Sequence, residues 1–221
     1  MQNARDEILG RLKAAPKTEI PVRPFLPPAA EIALGRDALV DRFAEMFTAE
    51  TGIVYRAKDN DQTLETLTSI AKQEDLKSVM ASNDTAVIPL DLPAWGNTIG
   101  VKVMRSGDFK GRDGFKDAVF DGVEAGITGV DFAVAESGTL GLIHDRDHAR
   151  LISLAPILHV AIVPVDRIVP VYEPVVESVF KKGRFPSQFV FITGPSMTGD
   201  IEGQLFKGMH GPRRVIVVLV G

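Results

Sequence analysis

The chain has 221 residues, 45% of them hydrophobic and 24% charged, with a formal net charge of −4 and no cysteine. This length buries a substantial core without covalent staples, and the acidic balance speaks against a nucleic-acid surface, where a basic face is needed. The missing cysteines exclude disulfides, thiol nucleophiles and cysteine-held iron–sulfur clusters within the chain.

The first residues, Met1 to Gly10, are charged and lack the apolar core of a signal peptide. No apolar stretch approaches the roughly 20 residues of a membrane helix. The expectation is a cytoplasmic protein with no membrane insertion. Ile8, Leu9 and Leu12 recur at helical spacing and predict a short amphipathic helix over 4–14. Residues 16–28 carry five prolines, each lacking an N–H and fixing φ, so this stretch reads as an extended linker. Residues 1–28 are therefore an arm, which either docks on a partner or packs back on its own domain. Residues 29–221 form a single α/β domain.

From about residue 36 helical and strand patterns alternate. Helical stripes run through Leu39, Val40, Phe43, Met46 and Phe47, then through Leu64, Leu67, Ile70 and Ala71, then through Phe115, Ala118, Val119 and Val123. Strands are expected at 53–55, 78–82, 100–104, 127–135, 157–164, 188–192 and 214–220. Val175, Val176, Val179 and Phe180 mark a further helix, and so do Ile201, Leu205, Phe206 and Met209. Ser106–Gly114 reads as a surface loop. Strands apolar on both faces and separated by helices predict a mostly parallel open sheet covered by helices on both faces.

In such sheets ligands sit beyond the carboxyl ends of the strands. Two polar stretches stand where strands end. In Ala135-Glu-Ser-Gly-Thr-Leu140, Glu136 is a candidate nucleophile or general base. The plain alternative is a Ser-Gly-Thr turn with Leu140–Ile143 as the returning strand. In Thr193-Gly-Pro-Ser-Met-Thr-Gly-Asp-Ile-Glu202, Ser196 or Thr198 suits the N-cap of a helix beginning near Gly199. Asp200 and Glu202 would lie in its first turn. An exposed helix N-terminus also binds anions, so capping and ligand binding both stand. No Walker-type lysine follows, which removes a P-loop.

The remaining candidates are weaker. His144 and His148 are four apart, but no third metal ligand is evident, so a solvated loop leading into a helical turn at 149–155 is expected and no metal is assigned. Arg146 or Arg150 could clamp a carboxylate or phosphate. His159 reads as a core histidine bonded to backbone. His210 sits in a glycine-flanked turn. Trp95 lies on a Pro/Gly-rich stretch, where it covers a pocket or a hydrophobic edge.

Taken together, 135–140, 154–163, 193–202 and Gly208-Met-His-Gly-Pro-Arg213 resemble the lactate-utilisation protein C family, also called the LUD domain. The order and spacing of the motifs fit over about residues 36–221. The resemblance implies a fold similar to the ribose-phosphate isomerase, glucosamine-phosphate deaminase and CoA-transferase group. It further implies a subunit of a bacterial system that oxidises L-lactate to pyruvate beside two other lactate-utilisation proteins. The cofactor expectation is none in this chain, with iron–sulfur clusters only in those partners. Expected site residues are Glu136 and Asp200 as catalytic groups, with Ser137, Gly138, Thr139, Gly194, Ser196, Thr198 and His210 around a small carboxylate or anion. Pro195 and Glu202 belong to the same lining. The two polar stretches are expected to share one cleft, and a homo-oligomer is compatible with the pattern. The alternative function is a stand-alone acyl- or CoA-transferase-like or sugar-phosphate enzyme using Glu136.

Overall fold

A computed structural model describes residues 4–16, 34–145, 148–173, 175, 176, 179, 186–199 and 205–221. In chain order its strands are β1 (Ile53–Ala57), β2 (Ser78–Ala81), β3 (Lys102–Arg105), β4 (Ala125–Gly129), β5 (Phe132–Val134) and β6 (Thr139–His144), followed by β7 (Leu158–Pro164), β8 (Ile168–Val169), β9 (Gln188–Ile192), β10 (Met197–Gly199), β11 (Leu205–Lys207) and β12 (Arg214–Val220). The helices are α1 (Ala4–Ala14), α2 (Arg36–Ala49), α3 (Asn60–Gln73), α4 (Leu92–Ile99), α5 (Arg112–Asp121) and α6 (Leu151–Leu154).

The β-branched run Val215–Val218 and the apolar run Leu158–Val163 are buried along their length, as strands covered on both faces must be. They form the centre of a six-stranded, all-parallel sheet in the order β1-β12-β7-β4-β2-β3. Alternation of side chains divides its two faces. Val79, Ala81, Ile127, Val160 and Ile162 meet Leu67, Ile70 and Trp95 from α3 and α4. Ala161, Val163, Val217 and Leu219 point the other way, onto Phe43 and Phe47 of α2 and Leu140 and Leu142 of β6. A smaller cluster of Met80, Met104, Val119 and Ile152 seats α5 and α6 on that second face.

The expected parallel sheet is therefore present, and the structure adds a feature. A second, four-stranded sheet, ordered β8-β5-β6-β9, packs on one face. The single strand expected over 127–135 breaks at Val130 and Asp131 into β4 of the first sheet and β5 of the second. Strand β9 lies antiparallel to β6 and does not join the parallel sheet. The helix expected through Ile201, Leu205, Phe206 and Met209 is absent where the chain is described. Leu205–Lys207 pairs antiparallel with Met197–Gly199 as a two-stranded hairpin.

Helix α1 forms where its periodicity places it but buries no residue, and residues 17–28 of the arm lie outside the described residues. Trp95 is core: it is buried in α4 and its indole N–H donates to Thr68 Oγ1 at 2.9 Å. The loop expected over 106–114 gives way to α5 at Arg112. No helix among the described residues is long and apolar enough to cross a membrane.

Candidate functional site

The turn at 135–138 joins β5 to β6, with Val134 opposite Thr139. Gly138 has φ +63°, and a Cβ there would stand 2.3 Å from the backbone nitrogen of Phe47. Only glycine fits such a left-handed position against the α2 backbone. The hairpin reading of this stretch is thus correct, and Leu140–Ile143 is the returning strand. Glu136 donates its N–H to the Pro170 carbonyl while its side chain is exposed.

Behind Glu136 four hydroxyls meet. Ser137 Oγ lies 2.8 Å from Thr139 Oγ1 and 2.7 Å from Tyr172 Oη. Thr139 Oγ1 lies 3.1 Å from Tyr172 Oη and 3.0 Å from Thr193 Oγ1. Four O–H protons serve these four contacts, so the cluster satisfies itself, and each oxygen keeps acceptor capacity. Thr139 is buried and Thr193 exposed, which gives the cluster one solvent-facing end. Tyr172 is a member that the sequence reading did not single out. Its ring also packs edge-on against Phe191, with centroids 5.2 Å apart.

Thr193 opens the second polar stretch. Because no helix follows it among the described residues, Ser196 and Thr198 are not N-caps there, and the helix-terminus anion site is corrected to a hairpin. Ser196 instead ties this loop to 208–212. Its N–H donates to Pro212 O, its carbonyl accepts from Gly208 N–H, and its Oγ accepts from His210 N–H at 3.4 Å. Thr198 lies in β10 opposite Phe206. Gly194 presses on α2, where a Cβ would stand 2.6 Å from Glu50 O. Asp200 and Glu202 lie outside the described residues.

The two stretches do come together, but not at the carboxyl edge. Gly138 packs on Phe47 and Gly194 on Glu50, one turn apart at the end of α2, which leads directly into the start of β1. Pro195 lines a cavity with Ile53, Ile157 and Arg214, residues at the amino ends of β1, β7 and β12. The expectation failed because β5 and β9 belong to the second sheet, whose strands do not follow the direction rule for parallel sheets. Thr139 and Thr193 meet because β6 and β9 are antiparallel, with Leu140 opposite Ile192.

The carboxyl edge carries a different polar array that the sequence reading missed. Asp84, just past β2, accepts N–H bonds from Ala86, Val87 and Gly129 and the Ser82 hydroxyl. Arg167 donates to Val130 O and Thr85 Oγ1. Asp131 accepts from Ile143 N–H at 2.6 Å. The available signal was Ser82-Asn-Asp84 directly after an apolar strand.

The histidines also depart from expectation. His144 and His148 are buried, not in a solvated loop, with ring centroids 5.0 Å apart. His144 Nδ1 meets His148 O at 3.1 Å, and Asp145 accepts the His148 N–H. His159 is fully buried and its Nε2 meets Thr128 Oγ1 at 2.8 Å, a side chain in place of the expected backbone group. His144 Nε2, His148 Nε2 and His159 Nδ1 have no hydrogen-bond partner among the described residues. Burial, with the neighbouring histidines, lowers the His159 imidazole to about 3, and burial with His148 lowers His144 to about 4. Among the described residues no group of three or more such side chains is arranged to hold a metal ion.

Residues 40–220 match the family model of the LUD domain. Lactate utilization protein C 1 of Bacillus mycoides is 32% identical over 85% of this chain and 81% of its own length. Lactate utilization protein C of Deinococcus radiodurans is 35% identical over 61% of this chain and 62% of its own length. In three dimensions the chain resembles the crystal structure of a DUF162 family protein from Deinococcus radiodurans, with a TM-score of 0.59 and 24% identity, over 85% of this chain and 99% of that one. At that identity the likeness concerns the fold.

Proposed function

The chain belongs to the LUD domain family, and on that premise we propose that it acts in lactate utilisation as a cytoplasmic subunit supporting the oxidation of L-lactate to pyruvate. That reaction removes two electrons and two protons from the substrate. In this reading the electrons pass to iron–sulfur clusters in two partner proteins, since this chain has no cysteine to hold one.

The small carboxylate binds at the junction of the two polar stretches, where Thr193 brings the Ser137–Thr139–Tyr172 cluster to the surface. A bound carboxylate accepts a hydrogen bond from the Thr193 hydroxyl, and the hydroxyls behind it reorient their donors in turn. Glu136, exposed at the same turn, is the group assigned to proton transfer. The observation that carries the reading is the family match over 40–220 together with relatives named for lactate utilisation.

Deleting the gene and measuring growth on L-lactate tests it. Growth is expected to fail and to return with the wild-type copy; unchanged growth in a strain without a paralogue overturns the proposal. Complementation with Glu136→Gln separates the residue from the role. That variant is expected to melt like wild type and to support lactate oxidation poorly.

A further inference from the structure

Two adjoining cavities of about 490 and 560 Å³ lie at the amino edge of the parallel sheet, sharing Ile157, Lys207 and Arg213. Each has the size of a small-molecule site. Neither is lined by an acid among the described residues, in a chain whose net charge is −4. Some other surface cations are held in ion pairs, Arg56 with Asp41 and Lys77 with Asp75, and so is Arg214 of the same cleft with Glu74.

Three cations facing the cleft are not. Lys207 Nζ donates to Thr51 Oγ1 at 3.0 Å and Arg150 Nη1 to Gln188 Oε1 at 2.6 Å, both neutral acceptors that leave the charge uncompensated. The Arg213 side chain is exposed and has no polar partner among the described residues. Between the cations run apolar walls: Leu154, Ile157 and Met209, the last two 66% and 63% exposed. Exposed apolar side chains beside cations without a carboxylate partner suit a ligand that carries both charge and apolar surface. Arginine's fork matches phosphate or carboxylate geometry, and lysine adds a mobile point charge.

We infer that this cleft binds an organic polyanion, a molecule with two or more phosphate groups on a body with apolar surface, anchored by Arg150, Lys207 and Arg213 and seated on Ile157 and Met209. Lactate, with three carbons and one charge, neither fills the cleft nor neutralises it. The inference is independent of the lactate reading: the growth test above can fail while this site binds, and the reverse.

Calorimetric titration of the full chain tests it, with ADP and inorganic pyrophosphate as probes. Both are expected to bind, ADP at least tenfold more tightly because pyrophosphate leaves the apolar walls empty. Affinity for both should fall as salt rises from 0.05 to about 0.5 M, since the anchoring charges are solvent-facing. The double variant Lys207→Glu, Arg213→Glu should weaken both probes at least tenfold while melting like wild type, because both side chains are exposed. No heat from either probe up to millimolar concentration, or unchanged binding by the double variant, overturns the inference.

Discussion

Strand β12 and the segment from Leu205 to Met209, which carries three large apolar side chains, are close neighbours in sequence and opposite in behaviour. Val215 to Leu219 are at most 2% exposed, whereas Leu205 and Met209 are 70% and 63% exposed. The difference lies in what each run can pair with. A β-branched run of strand length fits between two parallel neighbours and is covered on both faces. Leu205-Phe206 is a pair too short to span the sheet, set between glycines at 199, 203 and 208 that weaken any helix. Its spacing to Met209 imitates a helical stripe, and short apolar runs are where that imitation misleads. Apolar content thus announces the core of this protein only where length and neighbours agree with it.

The largest effect is expected at Gly138, in the turn that seats the second sheet on α2. Valine there meets both a left-handed backbone and the α2 main chain at Met46 and Phe47, neither of which can retreat. The Gly138→Val variant is expected to lose about 4 kcal/mol or more, or to fail to fold. Thermal unfolding of purified protein, beside Gly107→Ala, checks it. Gly107 has open space around it and should change stability by no more than about 0.5 kcal/mol.

The buried histidines sharpen the same comparison, because they sit under the second sheet where polar groups are costly. His144 and His159 are held neutral in the fold and protonate only near pH 4 and 3, while unfolded imidazoles protonate near 6.5. Below 6.5 the unfolded chain binds more protons, so stability falls as pH drops towards those folded values. The charges facing the pair are His148, Asp145 and Arg150. Between pH 7 and 5 the loss should be about 2–4 kcal/mol, or roughly 5–10 °C in melting temperature for a chain of this size. His159→Gln should flatten that slope by about one proton, and an unchanged slope would show that His159 does not contribute to it.

A smaller effect is expected at the hydroxyl cluster that joins β6, β9 and Tyr172. Tyr172→Phe keeps the ring on Phe191 but removes contacts to Ser137 and Thr139. The remaining hydroxyls of Ser137, Thr139 and Thr193 re-pair with each other, so the cost should be about 1 kcal/mol, read from denaturant unfolding.

What the sequence made legible follows the physics of period and burial. The parallel strands, the amphipathic helices and the turn at Glu136–Thr139 were visible because each obeys a local rule. The second sheet was not, since Phe132–Val134 continues the apolar character of β4 and nothing local marks the break at Asp131. Thr193 joins the cluster only through the pairing of β6 with β9, and Tyr172 only through that of β5 with β8, both long-range facts. Nothing local in the sequence marks Arg213 and Lys207, which only the fold brings to one cleft.

The finest test compares one residue type in the two regions. Leu142 on β6 is fully buried among α2 and β7 side chains, while Leu205 on β11 is largely exposed. Leu142→Ala should cost about 2–5 kcal/mol, because removing buried methyls leaves a cavity. Leu205→Ala should change stability by no more than about 0.5 kcal/mol, since little apolar area leaves water there. Alanine also favours helix over strand, so it probes the hairpin itself. If 205–209 were a packed helix, Leu205→Ala would lose a core contact and cost about as much as Leu142→Ala. Equal losses in the two variants, measured by thermal unfolding, would therefore overturn the hairpin; the expected gap of roughly 2 kcal/mol or more supports it.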